Sequence, residues 1–312
     1  MGQVINFGGK SIKQFKNNTN EMDIIRLLPK MSNLKGETIV LYIGEEILQD
    51  EELLTNVLRE IVILKCMQAI VIIIPDVNKQ SISLCNEMFA ITDPFLDANF
   101  VNIGEQADVF DVVFKREVLY KVSKILKQFN AMSIGLSGHM LDIVFANDAI
   151  NVNDTSLFFE RERQELYYSQ SEQKKKKQYS VDMLEEILKT NIIPIVAPTA
   201  YNNNGQVYVF ESSLFGAYIS GYLSALKYTE LYTDRGDILK NCIYGIEKFT
   251  KILKTGSFKE ESLRFLNSGI EAIKNGVQGT HIIDVSNISM LEEFCSKMFS
   301  GLFLYDDTLN QL

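Results

Sequence analysis

Lys35-Gly36-Glu37-Thr38-Ile39-Val40-Leu41-Tyr42-Ile43-Gly44-Glu45-Glu46 sets an apolar, β-rich run between two glycines, the pattern of a buried first strand running into a loop. A second run of the same kind, Ala69–Ile74, ends in Pro75-Asp76-Val77-Asn78. Continuous apolar strands of this sort are expected in a parallel sheet covered on both sides. Where such strands deliver the chain to a phosphate, their loops are glycine-rich, because only glycine lets backbone N–H groups approach phosphate oxygens closely. These two loops hold one glycine, one proline and three carboxylates, Glu45, Glu46 and Asp76. The strands suit a phosphate-handling frame and the loops do not.

Outward from these strands, helix and strand patterns alternate. Leu53, Leu54, Val57, Leu58, Ile61, Val62 and Leu64 trace one helical face. A helix is predicted from about Asp108 to Gln128, with Val109, Val112, Val113, Leu119, Val122, Ile125 and Leu126 inward. A strand at Met132–Ile134 enters Gly135-Leu136-Ser137-Gly138, residues 144–154 read as an edge hairpin, and 158–180 as a polar, low-complexity insertion. After a helix at 181–190 comes a buried strand, Ile192-Ile193-Pro194-Ile195-Val196-Ala197-Pro198, then a hairpin turning at Asn202-Asn203-Asn204-Gly205. A helix at 216–226, a strand at 230–233, a helix at 262–274 and a strand at 281–284 complete the order. This alternation predicts an α/β fold, a three-layer α/β/α sandwich around a mainly parallel sheet.

Composition narrows the function. A net charge of −9 and a pI near 5.0 argue against a nucleic-acid surface, which needs a basic face. The lysine run Lys174–Lys177 reads as a solvated loop, with an anionic partner as the other reading. Cys66, Cys85, Cys242 and Cys295 are widely spaced, and they read as buried thiols in a reducing intracellular compartment. With His139 and His281 the only histidines, no metal site is expected. No apolar run reaches the length of a membrane span. Met1-Gly2-Gln3-Val4-Ile5-Asn6 has neither an Arg-rich presequence nor a secretory h-region. Phe7-Gly8-Gly9-Lys10-Ser11 ends like a P-loop, but Val4 stands where the first glycine of that motif belongs, so residues 1–21 read as an N-terminal extension.

From about Met22 to Leu312 the order of segments resembles the amino acid kinase family, on the side of its N-acetylglutamate kinases. The resemblance rests on Gly36-Glu37-Thr38-Ile39-Val40, Asp50-Glu51-Glu52-Leu53, Ile61-Val62-Ile63-Leu64-Lys65, Gly135-Leu136-Ser137-Gly138, Ile193-Pro194-Ile195-Val196-Ala197-Pro198, Gly205 with Tyr208, Thr233-Asp234, and Gly276-Val277 followed by His281-Ile282-Ile283-Asp284. It implies a carbamate kinase-like sandwich and a dimer. It also implies an amino-acid-binding lobe over about 22–180 and a nucleotide-binding lobe over about 181–312.

The family's chemistry falls on residues of another kind. Its first-strand lysine is matched by Tyr42, and its two following glycines by Gly44 and Glu45. Its His-Gly-Gly-Gly loop is matched by Pro75-Asp76-Val77-Asn78, and its substrate-carboxylate arginine by Phe100. The aspartate of its Asn-x-Asn-Ala-Asp motif becomes Ser213, and the lysine of its Gly-Gly-Met-x-x-Lys motif becomes Phe265, or Arg264 if the register slips by one. Phosphoryl transfer depends on positioning and on cations that neutralise phosphate. A carboxylate about 5 Å from a phosphate charge opposes it by about 3 kcal/mol at an effective dielectric of about 20. Glu45, Asp76, Glu260 and Glu261 would each add such a term.

Gly44, Gly135, Ser137, Gly138 and Asp234 are the candidate cofactor-binding residues. Gly135-Leu136-Ser137-Gly138 has a second reading, since a strand-to-hairpin turn needs the same glycines, and Asp234 has one as the cap of the next turn. His281 reads as a satisfied core histidine, and His139 as a phosphate candidate where the family often has lysine. The resulting expectation is a catalytically inactive N-acetylglutamate kinase-like protein, a structural or accessory subunit. It would act through protein partners, as a homodimer or hetero-assembly, with no cofactor. One alternative is an active kinase using ATP and Mg at a site rebuilt from Lys10, Lys259 or Arg264. The other is an arginine or nucleotide sensor controlling a paralogue. Eukaryotic relatives of such kinases work in organelles, which places the mitochondrial matrix among the expected compartments.

Overall fold

Strand β1, Thr38–Ile43, is buried from Ile39 onward on both faces, as the run of apolar side chains demands. The computed structural model describes residues 32–76, 110–141, 143–146, 166–168, 180–202, 205, 207–233, 242–256, 258–286, 289–295 and 301–307. After β1 come a short helix α1 (Glu45–Gln49), helix α2 (Glu51–Cys66) and strand β2 (Ile70–Pro75). Asp50 caps α2, its carboxylate accepting from the Glu52 and Leu53 N–H groups at 3.0 Å each, so two of the helix's orphan donors are satisfied.

A π-helical stretch, Phe114–Leu119, leads into α3 (Tyr120–Gln128), followed by β3 (Met132–Ser137) and a 3₁₀ turn, Gly138–Leu141. Next come β4 (Val144–Ala146), β5 (Leu166–Tyr168), α4 (Ser180–Leu188), β6 (Ile192–Ala197), β7 (Thr199–Tyr201) and β8 (Val207–Val209). The last part holds α5 (Ser212–Tyr222), β9 (Lys227–Tyr232), β10 (Cys242–Gly245), α6 (Ile246–Thr255), α7 (Glu260–Lys274), β11 (Gly279–Asp284), α8 (Met290–Cys295) and β12 (Leu302–Tyr305).

Among the described residues the main sheet has eight strands in the order β10-β12-β11-β9-β1-β2-β6-β3. The run from β11 to β3 is parallel throughout, and β12 enters antiparallel to β11. Alternate side chains of one strand therefore feed two cores. Ile39, Leu41 and Ile43 pack with α2, α3 and α8, while Val40 and Tyr42 pack with α4, α5 and α7. The sequence expectation of a three-layer α/β/α sandwich is met. A second sheet, β5-β4-β7-β8, sits beyond the C-terminal ends of β3 and β6.

Several local expectations are corrected. The strand predicted at Met132–Ile134 runs on to Ser137, so Gly135 lies inside it; a Cβ there would meet Leu119 Cδ2 at 2.2 Å. Among the described residues β4 pairs with β7 and with Leu166–Tyr168, the latter inside the stretch read as a polar insertion; residues 147–154 of the expected hairpin lie outside the described residues. Val112, expected inward, is 49% exposed, because the π-helical stretch that follows changes the period by which the face was counted. Cys66, expected buried, is exposed at the end of α2. The hairpin turn is as read: Gly205 adopts φ +78° and its N–H bonds the Asn202 carbonyl at 3.1 Å.

Candidate functional site

Parallel α/β sheets bind ligands beyond the carboxyl ends of their strands. In this chain those ends are Ile43, Pro75, Ala197, Ser137, Tyr232 and Asp284, and β1, β2, β9, α5 and α7 bring polar groups to the site. The Tyr42 phenol, on β1, donates to Asp76 Oδ2 at 2.8 Å, just past the end of β2. Ser212, the first residue of α5, donates to Asp76 Oδ1 at 3.0 Å. One carboxylate thus ties β1, β2 and α5 together. Burial, with Asp76 and then Glu211 and Glu230 nearby, holds the Tyr42 phenol well above its usual pKa, so it stays a neutral donor.

Beside this bridge, α5 and α7 meet through hydroxyls. Ser213 Oγ lies 3.1 Å from Glu211 Oε1 and 2.9 Å from Ser268 Oγ. Ser268 also reaches the Arg264 carbonyl at 3.0 Å, and the Tyr228 phenol donates to the Ser213 carbonyl at 2.6 Å. Burial first, then Glu230, raises the Tyr228 phenol as well. Glu230 is itself fully buried, opposite Tyr42 in the β1–β9 register. Phe265, from α7, closes the group with its ring centroid 5.4 Å from that of Tyr42.

Three positions singled out in the sequence, Tyr42, Ser213 and Phe265, therefore meet in one buried cluster although they lie on β1, α5 and α7. Phe100, Asp234 and Lys10 lie outside the described residues. The N–H of Gly44 is bonded to the Leu231 carbonyl at 3.1 Å and that of Asp76 to the Ile43 carbonyl at 2.9 Å. Both amides at these strand ends are spent on the sheet. Glu45 and Glu46 occupy the first turn of α1, where a carboxylate complements the helix dipole.

Gly138 is required by packing: a Cβ would meet Phe215 Cζ at 2.4 Å and the Thr199 and Ala197 carbonyls at 2.5 and 2.6 Å. Ser137 Oγ lies 3.4 Å from Asp111 Oδ1, and Asp111 Oδ2 is paired with Lys115 Nζ at 3.0 Å. His139 Nδ1 sits 3.0 Å from Thr199 Oγ1, and burial lowers its pKa, so it carries no standing positive charge at neutral pH. Among the described residues no group of three His, Cys, Asp or Glu is placed to hold a metal ion, and no helix is long and apolar enough to cross a membrane.

The Asp76–Ser212 bridge and the roles of Glu211, Glu230, Tyr228 and Ser268 were not found from sequence. One signal was available for Glu230, a carboxylate at an inward-alternating place between Tyr228 and Tyr232.

The acetylglutamate kinase of Ruthia magnifica subsp. Calyptogena magnifica is 25% identical over 293 residues, covering 91% of this chain and 95% of that one. That of Stutzerimonas stutzeri (strain A1501) is 24% identical over 273 residues, covering 86% and 89%. The chain is a relative of the amino acid kinases. No protein-family model matches it. Among solved structures, N-acetylglutamate synthase from Neisseria gonorrhoeae, complexed with coenzyme A and N-acetyl-glutamate, superposes with a TM-score of 0.66 at 14% identity. The match covers 93% of this chain, which spans 64% of the synthase's length. Carbamate kinase from Giardia lamblia, bound to AMP-PNP, gives 0.58 at 13% identity and covers 87% of this chain and 99% of that one. These likenesses fix the fold. Within it, this amino acid kinase relative lines its strand ends with phenols, hydroxyls and carboxylates.

Proposed function

We propose that this acetylglutamate kinase-like chain is catalytically inactive and serves as a structural or accessory subunit of a protein assembly. The observation that carries the reading is the Tyr42–Asp76–Ser212 bridge with Phe265 packed against Tyr42. A phosphoryl-transfer site must offer cations and open amides to a highly charged group. Here the strand-end amides bond the sheet, and the groups around Tyr42 that shift its titration are Asp76, Glu211 and Glu230. Each such carboxylate opposes a phosphate about 5 Å away by about 3 kcal/mol at an effective dielectric of about 20.

The test is ADP release from Mg-ATP in the presence and absence of N-acetylglutamate, using the purified full chain. No turnover above background is expected. Turnover that disappears in Arg264→Ala would instead establish a rebuilt kinase site. A companion thermal scan with millimolar Mg-ATP is expected to leave the melting temperature unmoved, because a ligand that binds the native state must raise it. A rise of several degrees would contradict the proposal.

A further inference from the structure

A second cluster of titratable groups lies toward the N-terminal halves of the neighbouring interior strands β9 and β11, away from the strand ends that carry Asp76. Lys227 opens β9, and its Nζ is 2.8 Å from His281 Nε2 on β11. The imidazole is fully buried between Phe294 and Phe303, with ring centroids at 5.3 and 4.6 Å. On its far side Nδ1 faces Glu293 Oε1 at 3.9 Å, and that oxygen accepts from the Gly301 N–H at 3.2 Å. The order carboxylate, imidazole, amine is that of a general-base relay. The amine is not sealed in: Lys227 is partly exposed, while Phe294 and Phe303 lie 5.2 and 5.8 Å from Nζ.

We propose that Lys227 is an acyl-acceptor site, its amine taking an acyl group from an acyl phosphate or thioester while His281 receives the proton. The free amine attacks the acyl carbon and a C–N bond forms. The C–O or C–S bond breaks, phosphate or thiolate leaves with the electron pair, and one amine proton passes to His281 Nε2. The two phenyl rings present apolar surface to the incoming acyl chain.

Electrostatics favour this course. Burial brings Lys227 down to about 8, against partial opposition from Glu293 and Cys295, the other titratable groups facing it. At pH 7.5 it thus holds about two orders of magnitude more free base than an ordinary lysine. Burial also lowers His281 to about 4, helped by the Lys227 charge and opposed by Glu293. Acylation removes the Lys227 charge, so the imidazole becomes a better proton acceptor with Glu293 behind it.

The experiment treats the full chain with limiting acetyl phosphate, and separately with the thioester S-acetyl-N-acetylcysteamine, from pH 6 to 10. Labelling of each lysine is read by peptide mass spectrometry, which also separates acylated Lys227 from acylated Cys295. At pH 7.5 Lys227 is expected to react about tenfold faster than exposed Lys124, and its own pH profile to have a midpoint near 8. His281→Gln, its fold checked by circular dichroism, is expected to slow Lys227 several-fold without moving that midpoint. An unchanged rate in that variant overturns the relay. If the variant does not fold, the wild-type pH profile decides alone. The reagent that labels faster identifies the donor class, and labelling of Lys227 at or below that of Lys124 at every pH overturns the proposal.

Discussion

Tyr42 sits where its phenol satisfies one oxygen of Asp76 while Ser212 satisfies the other. Tyr42→Phe keeps the ring packed on Phe265 but leaves Asp76 with one hydroxyl partner fewer. The expected cost is about 1–3 kcal/mol, read as a lower urea midpoint at constant slope. A variant as stable as the parent would show that the bridge adds nothing. His281 supplies a second test. The unfolded chain takes up the imidazole proton at about pH 6.5, the folded chain only at about 4. Stability attributable to this group is therefore complete above about pH 6.5 and is lost as pH falls toward 4, on the order of 3 kcal/mol in all. With only two histidines in the chain, their imidazole NMR signals can be followed individually, and one is expected to titrate near pH 4. Two signals titrating at ordinary values would remove this account.

The elements owe their stability to burial more than to local propensity. Ile72, Ile73 and Ile74 of β2 are fully buried, with Ile73 in one core and its two neighbours in the other. Ile73→Ala is expected to cost about 2–5 kcal/mol in urea unfolding, since the sheet and α2 cannot both close over the space. Asp50→Ala removes the α2 cap and should cost about 1 kcal/mol by the same measurement, a smaller loss because the helix keeps its apolar face. Equal losses for the two variants would contradict this ranking. The strand identity of β2 was legible from residues alone. The reach of β3 to Ser137 was not, because Gly135 reads as a turn until Leu119 is seen packed against it.

For the whole molecule, buried apolar cores on both faces of the main sheet surround strand ends lined by Tyr42, Asp76, Ser212 and Glu230. The proposed subunit role requires an interface burying upward of ~1,000 Å² in all. Native mass spectrometry of the protein purified from its own cells is expected to show a homodimer or a hetero-assembly. A monomer without partners, unaffected by deleting residues 1–20 and 160–178, would sink the subunit reading while leaving the fold and the Lys227 chemistry untouched.

The sequence by itself determined the layered α/β architecture, the chain order of β1, β2, β3, β6, β9 and β11, and the kinds of residue at their ends. These properties are local: apolar runs such as Ile39–Ile43 and helical faces such as Leu54, Val57, Leu58 and Ile61 repeat at spacings a single chain displays. Only the tertiary structure decided which of those residues meet. Asp76 finds Tyr42 across 34 residues and Ser212 across 136, and Lys227 finds His281 across 54. Those pairings follow from strand order, which sets β9 between β1 and β11 and brings α5 and α7 over Tyr42. Strand order is selected by the joint burial of all the apolar faces, a property of the assembled sheet that no window of sequence contains.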